Sequence, residues 1–481
     1  MKNTTLSRCL AYASSDTGGQ LVFCVISFYL LKFYTDVYGI PAAIAGTILL
    51  VARMIDAVDA PVWGIIFDKT QSRWGKSRPW FLWLCVPFAV FGVLTFLTPE
   101  FGHAVKTIHI PFITWKLESI TLNLQYTNNA LYAAATYIVC SILYTGINTP
   151  VTSILASLTA SPAERITFTS FRMFGSKLGV LIVNLTAFTL VGYFGQGDDR
   201  KGFMIVMPIF AIGSVLLFLF AFWKLDERVI EKKKHMSIRQ SFSAIKGNWP
   251  WIIIFISSLF FWIAFISRIC ISPYFWEYTL HRKNLIGPAN SLDFISLAGI
   301  LVLPLFVRLT SKRTAWIVGL IGAVVAQFVL WFGIRSGSLP LVMTGWILGI
   351  ILSGIAMAMP FSLLSDSVDY GEWKSGVRAA GLLTAVGAAF CLKAGSGLGG
   401  ALPAWILDWY HYAPPVAQKP VEQTAQALFG IEIGFIWLPA IFYALAVLPV
   451  FFYHRFERLE PQIRQELELR RSAAGAMDAA V

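Results

Sequence analysis

Apolar runs long enough to cross a bilayer recur from one end of this chain to the other, and no other feature constrains its fold as much. A run of about 18 or more residues with few charges has the length of a membrane-spanning helix. Hydrophobic residues make up 57% of the 481, charged residues only 13%, and the mean hydropathy is +0.66. A soluble protein of this length would carry nearly twice that share of charge. About twelve spans can be drawn on this basis, near residues 20–38, 41–66, 80–98, 129–156, 170–194, 203–223, 250–275, 288–308, 315–334, 340–364, 380–407 and 429–452. The pattern predicts an all-α membrane protein.

The net charge of +12 would suggest nucleic acid in a soluble protein, but its placement argues for orientation in a membrane. The connecting segments alternate between basic and less basic. FDKTQSRWGKSRPW, LDERVIEKKKHMSIRQSFSAIKGNW, RLTSKRT and the tail YHRFERLEPQIRQELELRRS are the basic ones. About 24 Lys and Arg fall on their side and about eight on the other, which by the positive-inside rule predicts both termini in the cytoplasm. The N-terminus MKNTTLSRCLAYASSDTGG is too polar for a signal-peptide core, so the first span is expected to be retained. The six cysteines (Cys9, Cys24, Cys85, Cys140, Cys270, Cys391) are scattered without metal or disulfide spacing and read as small hydrophobes.

The longest basic loop divides the spans into two sixes. The expected organisation is an N-terminal six-helix bundle at 1–223, a basic cytoplasmic linker at 224–249, a C-terminal six-helix bundle at 250–452 and a cytoplasmic tail at 453–481. SRWGKSRPW and TSKRTAW hold corresponding places in the two halves, each short, basic and entering a Trp-led span. Two related six-helix halves are a transporter arrangement, with the solute held at the midplane between them. The segment 99–128 is longer than its counterparts, and the alternation in TIHIPFITWKL suggests a small hairpin there.

The second span, PAAIAGTILLVARMIDAVDAPVWGIIF, carries Arg53, Asp56 and Asp59 near its middle. Residues three apart share one helix face. Each charge costs about 2.5–3.5 kcal/mol at a helix centre, so three persist only by facing the protein interior and binding something. They could simply lock helices together as an ion cluster. They could also hold a cation, because two neighbouring carboxylates repel unless Na⁺ or a proton lies with them, and the Arg can take over when the cation leaves.

YLLKFYTDVYGIPAAIAGTILLVARMIDAVDAPVWGIIFDKTQSRWGKSRPW resembles the glycoside–pentoside–hexuronide:cation symporters, the melibiose-carrier branch of the major facilitator superfamily. LYTGINTP at 143–150, ERITFTSFR at 164–172 and DSVDYGEWKSGVR at 366–378 carry the same resemblance, which runs from about residue 10 to about 455. It implies the major facilitator fold with twelve helices, alternating access, and uptake of a sugar-type solute with Na⁺, Li⁺ or H⁺. Asp56 matches the family's first cation-site Asp, and Thr145 its hydroxyl ligand on the fourth span. The second family Asp directly precedes the Pro, and that place is Ala60 here. The carboxylate sits one residue earlier, at Asp59, about 100° round the helix. Asp56, Asp59, Thr145 and Arg53 are therefore the candidate cation-site residues, with Asp56 and Asp59 as metal ligands if the ion is Na⁺. The displaced carboxylate tilts the expectation towards H⁺.

For the solute, the resemblance implies positions Gln20, Asn148, Thr152, Arg172, Met357 and Lys393. Where the branch has carboxylates and large aromatics, this chain has Gln20, Asn148, Thr152 and Met357, whereas the bases Arg172 and Lys393 are kept. Arg268, in FISRICISPYFW, adds a further guanidinium on the seventh span. Arg forks onto a carboxylate, so this balance suits an anionic solute: a hexuronide, an oligogalacturonide or a sulfosugar. A neutral glycoside, or a lysolipid carried by the same fold, is the alternative. Arg172 could instead pair with a neighbouring helix, and Lys177 could snorkel. Asp366, Asp369 and Glu372 are expected to pair with basic loop residues at an inner gate. No HExxH, Gly-x-Ser-x-Gly or phosphate-binding loop is present, so an enzyme is not expected. No cofactor beyond the coupling ion is expected. The expected partners are the solute, the cation and the bilayer, with no nucleic acid, for a monomer in the cell inner membrane.

Overall fold

A computed structural model describes residues 3–70, 72–101, 105–113, 119–159, 161–227, 247–376, 383, 385–415 and 421–479. Helices account for most of them, and nine are long and apolar enough to cross a membrane. The first is α1 (Asn3–Lys32), prolonged by a π-helical turn at Phe33–Val37. Next come α2 (Ala42–Lys69) and α3 (Arg78–Leu94). α2 has 28 residues but falls outside the nine, because Arg53, Asp56 and Asp59 charge every 18-residue window of it; α3 is apolar but shorter. The hairpin follows, β1 (Val105–Ile113) against antiparallel β2 (Ser119–Thr127), in register from Val105 opposite Thr127 to Ile113 opposite Ser119. Alternation along the sequence had suggested it.

After the hairpin come α4 (Asn128–Leu158), α5 (Pro162–Gly195), α6 (Asp199–Lys224) and α7 (Trp249–Tyr274), the last with a π-turn at Phe275–Thr279. The next span, Lys283–Leu309, is helical throughout, with 3-10 turns at Lys283–Leu285 and Leu292–Ile295 on either side of a short α8 (Ile286–Ser291) before α9 (Ser296–Leu309). Then come α10 (Lys312–Arg335), α11 (Leu339–Ser375), α12 (Cys391–Trp409), α13 (Ala425–Glu432), α14 (Leu438–Phe451) and the tail helix α15 (His454–Ala479).

The helices gather into two compact units. The first is Met1–Glu231 with Ile269–Ser291 and Gly400–Ile431; the second is Lys232–Arg268 with Leu292–Gly399 and Glu432–Val481. In the first, α1 lies against α5 and α6, and α2 against α4. Small residues let the backbones approach, as they must where lipid supplies no hydrophobic drive. A Cβ on Gly175 would meet the Ala13 carbonyl oxygen at 2.5 Å, and one on Gly179 the Thr17 oxygen at 3.0 Å. Thr17 Oγ1 donates to the Gly175 carbonyl across the same crossing at 2.8 Å. In the second unit, α10 packs on α11 and α14, and α9 on α11. All six cysteines are buried and free, as small hydrophobes would be.

Candidate functional site

α2 turns its charged face into the first unit. Asp56 is 1% exposed and Arg53 is buried beside it. Arg53 Nη1 donates to Asp56 Oδ2 at 3.0 Å, and Ser141 Oγ donates to the same oxygen at 2.7 Å. Thr145 Oγ1 reaches Asp56 Oδ1 at 3.5 Å. Ser141 and Thr145 are one turn apart on α4, so both hydroxyls face the carboxylate. The Arg53 guanidinium lies over the Phe23 ring at 4.8 Å, and that ring stacks on Tyr144 at 4.2 Å. Arg53, Asp56 and Thr145 are therefore brought together as the sequence suggested. Asp59 lies further along the same helix, half-buried, with both carboxylate oxygens out of solvent. Ser141 was missed in the sequence. Its signal was a place four residues before Thr145, one turn along the same helix.

A buried carboxylate ringed by a guanidinium and two hydroxyls can pass a small cation or a proton in exchange for the Arg. Among the described residues no group of three or more His, Cys, Asp and Glu is placed to hold a metal. The oxygens available to an ion here are those of Asp56, Ser141 and Thr145.

Of the solute positions, Gln20 on α1 and Asn148 on α4 are half-buried, and Thr152 is exposed with Oγ1 donating to the Thr149 carbonyl. These belong to the first unit, as does Arg172, while Arg268, Met357 and Lys393 belong to the second. Met357 and Lys393 are half-buried. Arg172 Nε donates to Asp16 Oδ2 at 3.0 Å. This corrects one step in the charge argument. The resemblance implies a carboxylate at the place of Gln20, and a carboxylate one helical turn earlier on the same face of α1, Asp16, answers Arg172. The spacing of Asp16 and Gln20 was the available signal.

Arg268, on α7, is 2% exposed. Its guanidinium lies over the Trp346 ring at 4.9 Å, and neither Nε nor Nη1 has a hydrogen-bond partner among the described residues.

Two further charge clusters take shape, the first of them not assembled from the sequence. The ends of α1 and α7 carry matching π-turns. In the first, Tyr38 N donates to Phe33 O at 2.9 Å and Ile40 N to Tyr34 O at 2.8 Å; in the second, Leu280 N donates to Phe275 O at 3.1 Å and Arg282 N to Trp276 O at 2.8 Å. Charges alternate along a chain there. Lys32 Nζ lies 2.5 Å from Asp36 and 2.7 Å from Glu277, and Lys283 lies 3.8 Å from Glu277 and 2.6 Å from Asp199. The Asp36 carboxylate also accepts from Thr35, Tyr278 and Tyr412, each at 2.8 Å. This chain of charges borders a cavity of about 240 Å³. In the second unit, Lys312 Nζ donates to both Asp366 oxygens, at 2.9 and 2.7 Å, and to Glu460 of α15 at 2.9 Å. Asp366 thus meets the basic segment at 308–314, as expected. Burial and the Asp366 and Glu460 carboxylates push the Tyr453 phenol well above its ordinary pKa, so it stays protonated and donates to Asp366 at 3.2 Å.

A family described as "MFS/sugar transport protein" matches residues 11–454. An isoprimeverose transporter of Lactiplantibacillus pentosus is 36% identical over 475 residues, covering 98% of this chain and 93% of the relative. A glucuronide carrier protein homolog of Escherichia coli is 26% identical over 477 residues, with 96% and 95% covered. Among solved structures, a bacterial homolog of the human lysosomal transporter Spinster, inward-facing and unoccupied, superposes with a TM-score of 0.68 at 13% identity, covering 96% of this chain and 99% of that one.

Proposed function

Because this chain belongs to the MFS/sugar transport family, as a glycoside–pentoside–hexuronide-type symporter and not an enzyme, we propose that it couples uptake of a sugar-type solute to a cation bound at Asp56. The observation that carries this reading is the fully buried Asp56 carboxylate with Arg53, Ser141 and Thr145 around it. Such a charge is tolerated only where it is paired or exchanged. On this reading the polypeptide has twelve spans in two six-helix bundles, at 1–223 and 250–452, joined by a cytoplasmic linker at 224–249, of which 228–246 lie outside the described residues. Both termini, with the tail 453–481, lie in the cytoplasm, and the protein is a monomer in the inner membrane. Asp56→Asn should abolish uphill accumulation in membrane vesicles while leaving the folded protein in the membrane, and concentrative uptake that survives would refute the assignment. Asp59 in place of a carboxylate at 60 favours H⁺ over Na⁺. Uptake driven by a pH gradient in Na⁺-free buffer supports that choice, and strict Na⁺ dependence overturns it.

The solute we propose is anionic, and the candidate solute residues are Gln20, Asn148, Thr152 and Arg172 within the first unit and, taken separately, Arg268, Met357 and Lys393 within the second. The relation to a glucuronide carrier homolog supports this. A neutral glycoside is the second reading, favoured by the Asp16 carboxylate that already answers Arg172 and by the relation to a transporter of isoprimeverose, a neutral disaccharide. Competition between a hexuronate and its neutral parent sugar for uptake separates the two.

A further inference from the structure

We propose that the buried guanidinium of Arg268 is one side of a built site for a single small anion inside the second unit. Arg remains protonated at any physiological pH. Among the described residues no carboxylate lies within 4.0 Å of it. The Trp346 face at 4.9 Å offsets part of the charge. An unpaired ion in this setting costs more than that. The hydrogen bonds are also missing: Nε and Nη1 are both out of solvent and unsatisfied.

The surroundings are short of the same thing. The Tyr443 hydroxyl on α14, fully buried and without a partner, lies within the field of Arg268. Gly349 of α11 leaves room for the fork, because a Cβ there would collide with Nη1. Across that glycine, 3.4 Å from the same Cβ position, stands Ala326 of α10. Guanidinium and phenol both offer donors, and an acceptor carrying one negative charge answers both. A glycine kept free for the fork shows that the packing makes space for this geometry, since the same helix would otherwise close on it.

One chemistry, a monovalent anion taken by the Arg268 fork, has two sources. It is a free halide, resident as a counter-ion, or the carboxylate or sulfonate of a bound solute. The second source rests on the anionic-solute reading above; the first does not. The experiment is thermal unfolding of the purified full-length protein in detergent, in sodium sulfate against sodium chloride or bromide of equal ionic strength, and with glucuronate added. The quantity read is the difference between wild type and variants. In wild type, halide or glucuronate should raise the midpoint saturably by about 2–4 °C. In Arg268→Gln that shift should vanish. Gly349→Ala, which keeps the charge but displaces the fork, and Arg268→Lys, which keeps the charge but loses the fork, should each weaken the apparent affinity at least tenfold. These two keep the test decisive if the glutamine variant does not fold. A halide effect marks a resident ion, and an effect of glucuronate alone marks the solute's acid group. Equal shifts in wild type and all three variants would overturn the site. Asp56→Asn separates this from the coupling reading: the anion effect should persist in it whether or not uphill uptake is lost.

Discussion

Lys32 should be the residue whose loss most weakens the first unit, and the structure gives the size of the effect. Its side chain is 5% exposed and its ammonium sits between Asp36 and Glu277 at 2.5 and 2.7 Å. Lys32→Met removes one positive charge and leaves two carboxylates. Asp36 keeps three hydroxyl donors, so the cost falls on Glu277, which is left with Lys283 at 3.8 Å. Removing one partner of a buried pair costs about 3–5 kcal/mol. With Glu277 at 15% exposure and Lys283 still nearby, we expect a loss at the lower end, about 3 kcal/mol, against a typical total of about 5–15 kcal/mol. That corresponds to a drop of about 3–5 °C in the unfolding midpoint of the detergent-solubilised protein. Glu277→Gln in the same background should return at least half of it, because the uncompensated charge leaves with it. Lys283→Met, at the solvent-facing end of the chain of charges, should cost far less. A Lys32→Met protein within about 1 kcal/mol of wild type, or a double variant less stable than the single one, would refute this account of the cluster.

Ser141→Ala removes a 2.7 Å hydroxyl contact from Asp56 and should weaken the apparent affinity for the coupling cation about tenfold while solute affinity changes little. Cation titration of uptake measures both, and an equal loss in the two would count against Ser141 as a cation-site residue. Asp16→Asn releases Arg172 from its carboxylate and should raise the affinity ratio of acidic to neutral sugar; an unchanged ratio would remove Arg172 from the solute site. On the tail, hydrogen bonds from Gln462 and Trp373 hold the Glu466 carboxyl below its ordinary range. A depressed acid contributes stability above its unfolded pKa and loses it as pH falls through the folded one, so the hold of α15 should loosen below about pH 4. Amide exchange across 457–470 should accelerate there more than in α14, and equal rates would count against the contact.

The spans and the charged face of α2 could be read from the chain because each rests on a local rule, whereas the Asp56–Thr145 match came from the family resemblance. Lipid is a uniform solvent, so length and apolarity alone mark a spanning helix. Charges three apart share a face in any helix. The hairpin likewise followed from alternation over a few residues. Sequence could not say which acid answers which base. Ser141 meets Asp56 across 85 residues, Arg172 meets Asp16 across 156, and Tyr278 meets Asp36 across 242. Those pairings depend on helix rotation and on close crossings such as the one at Gly175, where a few ångströms decide whether a charge is paired. The same packing kept carboxylates away from Arg268 and let Asp16 answer Arg172, the pairing with a neighbouring helix that the sequence had left open.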